Sequence, residues 1–225
     1  MSRKKGTNVT KESAGSYGEA GNALLKSESP SGDDGSECLY TYGDYLKFPD
    51  EFRCEIIDGV LYDMTPAPNR DHQKILVELV FQFHRFLKGK PCEVLCAPFD
   101  VRLPRADEPD EEIRTVVQPD LLVICDKSKI DKRGLRCGPD LAIEILSPST
   151  ASKDCIKKRG LYEHHGVREF WIVDPAHTTI SIYRLSNEGV YGKPDIYDRK
   201  SRIAVQILPG LDIIAADVFA SIIAE

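Results

Sequence analysis

The chain has 225 residues, with 30 Lys and Arg against 36 Asp and Glu, a formal net charge of −6 and a pI near 5.5. That balance excludes a protein that coats nucleic acid through bulk positive charge. With 41% hydrophobic and 29% charged residues and no apolar run long enough to cross a bilayer, the composition is that of a soluble globular protein with no membrane partner.

Residues 1–38 carry seven Ser, six Gly and a single aromatic, Tyr17. So little apolar surface cannot offset the entropy of ordering, and the segment reads as a disordered tail ahead of one domain over 39–225. No apolar stretch follows the basic MSRKKGTNVT, so a secretory signal is not expected and the cytoplasm is the expected location. Seven cysteines, an odd number with no C-x-x-C pair, argue against a disulfide framework or a zinc ribbon. Most should be reduced, buried small hydrophobes.

Within the domain, Thr41 can cap a short helix, with Asp44 three residues on. RCEIID and VLYDM flank Asp58-Gly59, a pair that accepts positive φ at both turn positions and predicts a type I′ hairpin with Glu55 on its first strand. A long helix is predicted from the N-cap Asn69 to Gly89, with Leu76, Leu79, Phe83 and Phe86 on one stripe and Lys74, Glu78, Gln82 and Arg85 on the polar one. Val77 and Phe81 widen its apolar surface, as expected of a helix central to the fold or of half a dimer contact. CEVLCAPFDVRL and VVQPDLLVIC read as strands around an acidic loop, Asp107 to Glu112. DLAIEILS is a further strand stopped by Pro148, Ala151 to His165 a helix ended by Gly166, and REFWIVD, TTISIYRL and RIAVQIL are later strands. The order predicts an α/β fold, a mixed β-sheet flanked by helices, with an N-terminal β-hairpin.

Two acids stand out. Glu144 lies in LAIEIL, apolar on both sides and therefore buried on both faces, where a carboxylate is costly unless a cation meets it. Asp120 opens LLVIC directly after Pro119. If the two strands pair, both acids converge at one sheet edge, where a divalent cation offsets their repulsion. The bland alternatives are a buried salt bridge for Glu144 and a turn or cap role for Asp120. Asp154, Lys158 and Tyr162 are spaced i, i+4, i+8 on one helix face, which can bring Lys158 to the carboxylates. Lys157 points about 100° away and reads as a surface charge. His72 faces inward on the first turn of the long helix, either a core histidine or a ligand. His164 and His165 beside Gly166 need no chemistry, and Trp171 and Phe170 read as core. No G-x-x-x-x-G-K-[ST], G-x-G-x-x-G, G-x-S-x-G or H-E-x-x-H occurs.

VVQPDLLVIC, GPDLAIEILSPSTASKD, the Lys158 to Tyr162 spacing and GVREFWIVDP resemble the bacterial Uma family of restriction-endonuclease homologues, a branch of the PD-(D/E)xK nuclease superfamily; RCEIIDGVLYDM and DHQKIL are similar to it too. The resemblance implies a restriction-endonuclease-like core whose sheet edge presents an Asp and a Glu to Mg²⁺, with Mn²⁺ as substitute, while a Lys assists hydrolysis of a DNA phosphodiester. It maps the P-D of the motif onto Pro119 and Asp120 and the acidic position onto Glu144. Leu146 stands where the superfamily has Lys, and the resemblance moves that role to Lys158. It also matches Glu55, which could complete the metal shell, with His72 of second rank. The function expected is a metal-dependent endodeoxyribonuclease acting as a homodimer. The competing expectation, from Leu146 and the apolar long helix, is a catalytically inactive nuclease-like module that binds DNA or protein. Lys153 to Arg168 and Asp126 to Arg136, each with five basic against two acidic residues, are the expected basic rim.

Overall fold

The computed structural model describes residues 39–49, 52–64, 67–147 and 153–222, without the side chains of 153–155. The tail, Pro148 and the Asp154 side chain lie outside them. Helix α1 (Tyr42–Tyr45) begins with the reciprocal capping box of Thr41 and Asp44. Strands β1 (Cys54–Ile57) and β2 (Val60–Asp63) pair antiparallel across Asp58 and Gly59, both at positive φ as a type I′ turn requires. Helix α2 (Arg70–Leu87) starts where the Asn69 side chain accepts the His72 amide.

The remaining chain builds β3 (Glu93–Cys96), β4 (Val101–Arg102), β5 (Val116–Val117), β6 (Leu121–Ile124), β7 (Ile130–Asp131), β8 (Gly134–Leu135) and β9 (Leu141–Ile145). A π-helical turn (Lys153–Lys158) then runs into α3 (Arg159–His164). It ends with β10 (Glu169–Asp174), β11 (Thr179–Arg184), β12 (Asp195–Asp198), β13 (Arg202–Ala204), β14 (Asp212–Ile214) and α4 (Ala215–Val218).

The strands form two six-stranded mixed sheets and a small β13–β14 hairpin. The central sheet has the order β12-β11-β10-β9-β6-β3, with only β9 and β10 parallel. The second has the order β2-β1-β5-β4-β8-β7, parallel only at β4–β8. Strand alternation splits the core in two. Leu121, Val123, Leu141, Ile143 and Ile145 pack with Ile75, Leu79 and Phe83 of α2. Leu122, Ile124 and Ala142 point the other way, toward Val101, Val117, Leu161 and Tyr162. The central strands are therefore buried on both faces, and the even-numbered residues of β9, Glu144 among them, face the gap between the sheets.

Three expectations change. Cys92 and Cys125 form a disulfide, because the β3–β6 register, Glu93 opposite Ile124, sets them directly across from each other at a separation of 33 residues, which no local pattern reveals. Cys96 is exposed rather than core. Gln82 leaves the polar stripe and is buried, holding both the amide and the carbonyl of Ile214 ahead of α4. Val77 and Phe81 are 64% and 54% exposed, so they are not part of this chain's core. No described helix is long and apolar enough to cross a membrane.

Candidate active site

Glu144 enters the gap between the sheets almost without exposure to water, and its Oε1 meets two donors. Lys158 Nζ lies 2.8 Å away, and the Tyr162 hydroxyl donates at 2.8 Å. Lys158 ends the π-helical turn and Tyr162 sits one α-turn later, so both reach one carboxylate oxygen. The widened turn ahead of Lys158 is a feature that recurs at functional positions.

The ammonium has a second acid. Glu55 Oε1 is also 2.8 Å from Lys158 Nζ and accepts the Gln118 amide at 2.9 Å. Glu55, Glu144 and Lys158 are each at most 3% exposed, so both carboxylates depend on protein donors rather than water. Around them, the Gln118 side chain donates to Asp100 at 2.8 Å and to the Tyr45 hydroxyl at 3.2 Å, and accepts from Arg53 at 3.2 Å. Burial first, and then Asp100, raises the Tyr45 phenol well above its ordinary value, which keeps it a proton donor to Asp100. Cys54 beside Glu55 is likewise pushed up to about 12, chiefly by burial and further by Asp100, Asp63 and Glu55. It therefore stays a thiol and offers no nucleophile.

Asp120 stands on the neighbouring strand. Leu121 pairs with Ile143, so the register sets Asp120 across from Glu144. Asp120 Oδ2 accepts the amide of the Glu144–Ile145 peptide at 2.7 Å, which fixes one carboxylate against the backbone of the other. His72 Nε2 reaches the same oxygen at 3.1 Å from the first turn of α2, and its Nδ1 is buried with no hydrogen-bond partner. The Asp120 side chain keeps 17% exposure, the most open of the three carboxylates. Leu146, two residues beyond Glu144 on the same face, packs into the second core.

The structure thus gathers all five sequence-derived residues into two adjoining groups, Glu144–Lys158–Glu55 and Asp120–His72. Among the described residues no three His, Cys, Asp or Glu side chains are placed to hold a metal alone.

The family model described as "Putative restriction endonuclease", Uma2, matches residues 42–217. The chain belongs to the Uma2 family. The matched span includes every residue of both groups. An uncharacterized protein of Synechocystis is 26% identical to this Uma2 chain over 149 residues, 65% of the chain and 74% of the relative. A crystal structure of a "putative nuclease belonging to DUF820" from Anabaena variabilis superposes with a TM-score of 0.65 at 22% identity, covering 81% of this chain and 99% of that one. That likeness establishes that the two chains share a fold.

Sequence reasoning missed Gln118 and Asp100. Gln118 immediately precedes the P-D dipeptide, so its position was available as a signal. The bridge to Asp100 and Tyr45 needed the second sheet. The expected basic rim also changes. Lys158 is buried, Arg136 is 2.7 Å from Asp110, Arg133 is 3.5 Å from Glu111, and Arg168 pairs with Asp140. Arg133 and Arg136 are taken up because the acidic loop folds back onto the Asp126–Arg136 segment, whereas Lys158 and Arg168 meet carboxylates elsewhere in the fold.

Proposed function

We propose that this Uma2 chain is a Mg²⁺-dependent endonuclease that hydrolyses DNA phosphodiester bonds, with Asp120 and Glu144 as metal ligands and Lys158 as the helix-borne lysine of the site. The observation that supports it most is the contact between Asp120 Oδ2 and the amide joining Glu144 to Ile145, which keeps two hard oxygen donors at one sheet edge. Mg²⁺ is commonly bound by one or two carboxylates, with waters and substrate phosphates completing its shell. The residues therefore fit such an ion although no three-ligand cluster exists among those described. Mn²⁺ suits the same donors.

A bound Mg²⁺ supplies Lewis-acid polarisation of the phosphoryl oxygen and a water of lowered pKa. His72 and the Ile145 amide orient Asp120, while Tyr162 orients Glu144. Lys158 offsets the charge of Glu55 and Glu144, and its ammonium would be placed to orient an attacking water and to stabilise charge developing on the phosphate. Glu55 holds Lys158 in place and would be the candidate third ligand. In this reading the functional unit is a homodimer located in the cytoplasm, with Val77 and Phe81 at the contact. A monomer in solution scattering at working concentration overturns the dimer.

Supercoiled DNA incubated with the wild-type protein and Mg²⁺ or Mn²⁺ should be nicked and linearised, and Glu144→Gln should lower the rate by roughly 10²–10³-fold. No cleavage by the wild type, or equal cleavage by the variant, overturns the reading. Leu146 at the usual lysine position and the engagement of Lys158 with both acids favour one second reading, a non-catalytic nuclease-fold module that binds DNA or protein. Calorimetric Mg²⁺ binding that vanishes in Asp120→Asn supports the enzyme over the module.

A further inference from the structure

Most cations around the site already face a carboxylate. Arg159 has Glu163, Arg168 has Asp140, Arg136 has Asp110 and Lys158 has Glu55 and Glu144. Arg53 and Lys157 differ. Both are exposed, and neither meets a carboxylate among the described residues. Arg53 touches the neutral Gln118 side chain, and Lys157 donates to the hydroxyl of Tyr62, its ammonium 4.6 Å from that ring centroid.

Their placement follows from the hairpin register. Arg53 directly precedes β1, where the Met64 amide donates to its carbonyl and continues the hairpin, so it shares a face with Glu55 two residues on, about 6.6 Å away along the extended chain. Tyr62 lies directly across from Glu55 on β2, and directly opposed residues project to the same side of a sheet. Lys157 immediately precedes Lys158, whose ammonium is on Glu55. Arg53 on one side and Lys157 with Tyr62 on the other therefore flank the buried Glu55–Lys158–Glu144 group. In a chain of net charge −6, two solvent-facing cations that meet no acid among the described residues stand beside a buried acidic site.

We infer that Arg53, Lys157 and the Tyr62 hydroxyl form a phosphate-binding lip that grips a DNA strand on either side of the bond presented to Asp120 and Glu144. This rests on the nuclease reading and adds to it the groups that bind the backbone. The fork of Arg53 suits a phosphate edge. Lys157 acts as a point charge, and the phenol it contacts adds a neutral polar group beside it. Such contacts fix register and carry no base specificity, so the lip should bind duplexes of different sequence equally.

The test measures binding separately from cleavage. Fluorescence anisotropy of labelled duplex DNA with the full chain, in Ca²⁺ to suppress cutting, is repeated across a salt series. Lys157→Ala and Arg53→Ala should each weaken binding about five- to ten-fold and reduce the slope of log K against log salt by about 0.9, one phosphate each. Lys157→Arg should restore both, and Tyr62→Phe should weaken binding two- to three-fold with the slope unchanged. The thermal midpoints of all four variants should match the wild type, since Arg53 and Lys157 are exposed and Tyr62→Phe keeps the ring that packs against the second core. If the wild type binds DNA and the alanine variants keep its affinity and slope, the lip is wrong while the nuclease reading stands. If the wild type neither binds nor cuts DNA, the nuclease reading fails and takes the lip with it.

Discussion

Arg102 and Lys158 are both buried cations lying between two carboxylates, and they differ in what those carboxylates can reach. Arg102 meets Asp110 and, at 2.7 Å, Asp131. Asp110 is held by Arg136 as well, and Asp131 is 51% exposed. Burial alone would lower the guanidinium's pKa; its bonds to Asp131 and Asp110 outweigh that and raise it. The result is a charge-matched clamp, two guanidiniums on two partly hydrated acids, that ties the acidic loop to β4 and β7. Around Lys158 the acids themselves are dehydrated, at 0% and 4% side-chain exposure, so water screens neither. A clamp needs only to stay closed. A group of dehydrated carboxylates keeps a strong negative potential in reserve, which on the proposed function would attract a hard cation.

The largest effect that separates the two should come from removing each cation. Lys158→Met leaves Glu55 and Glu144 facing each other without their shared ammonium, and urea unfolding should show a loss of about 3–5 kcal/mol. Saturating Mg²⁺ should recover part of it. Arg102→Met should cost less, about 1–3 kcal/mol, because Asp110 keeps Arg136 and Asp131 keeps water, and DNA cleavage should stay at the wild-type rate. Equal losses in the two variants would erase the distinction. Glu144→Gln is sharper still: Lys158 keeps Glu55 and the amide oxygen can still accept from Tyr162, so unfolding free energy should move by less than about 1 kcal/mol while cleavage slows roughly 10²–10³-fold. A large stability loss there would make Glu144 a structural partner like Asp110.

The smallest effect is one of pH, away from both clusters. Burial foremost holds the His165 imidazole below its ordinary value, offset in part by its bond to the Leu161 carbonyl. The unfolded chain therefore takes up this proton first as pH falls. The contribution is intact above about 6.5, the ordinary histidine value, and diminishes below it until the folded-state pKa is passed. His165→Gln should flatten the stability profile between about pH 7 and 5, and an unchanged profile would count against the burial argument.

Much of this was legible in the chain. The capping box at Thr41, the Asp58-Gly59 turn and the stripe of α2 are local, set by turn chemistry and helical periodicity, and the structure has them where the residues put them. Glu144 was legible because a carboxylate in LAIEIL violates the pattern of its own strand. Glu169 breaks the pattern of REFWIVD in the same way, yet there the acid meets only neutral donors, the Trp171 indole at 2.9 Å and the Ile207 amide at 2.8 Å. A buried acid announces itself in sequence; whether its partner is an ammonium or an indole does not.

By itself, then, the sequence determined the elements, the α/β class, the burial of β9 on both faces, and the acids and lysine worth following, because each depends on neighbours within a turn or a strand. Only the tertiary structure decided that Glu55 comes from a second sheet to share Lys158, that Cys92 meets Cys125, that the acidic loop takes up Arg133 and Arg136, and that Arg53 and Lys157 remain facing solvent at the site. Those are pairings between distant segments, fixed by strand register and the packing of one sheet on another, and no spacing along the chain encodes them.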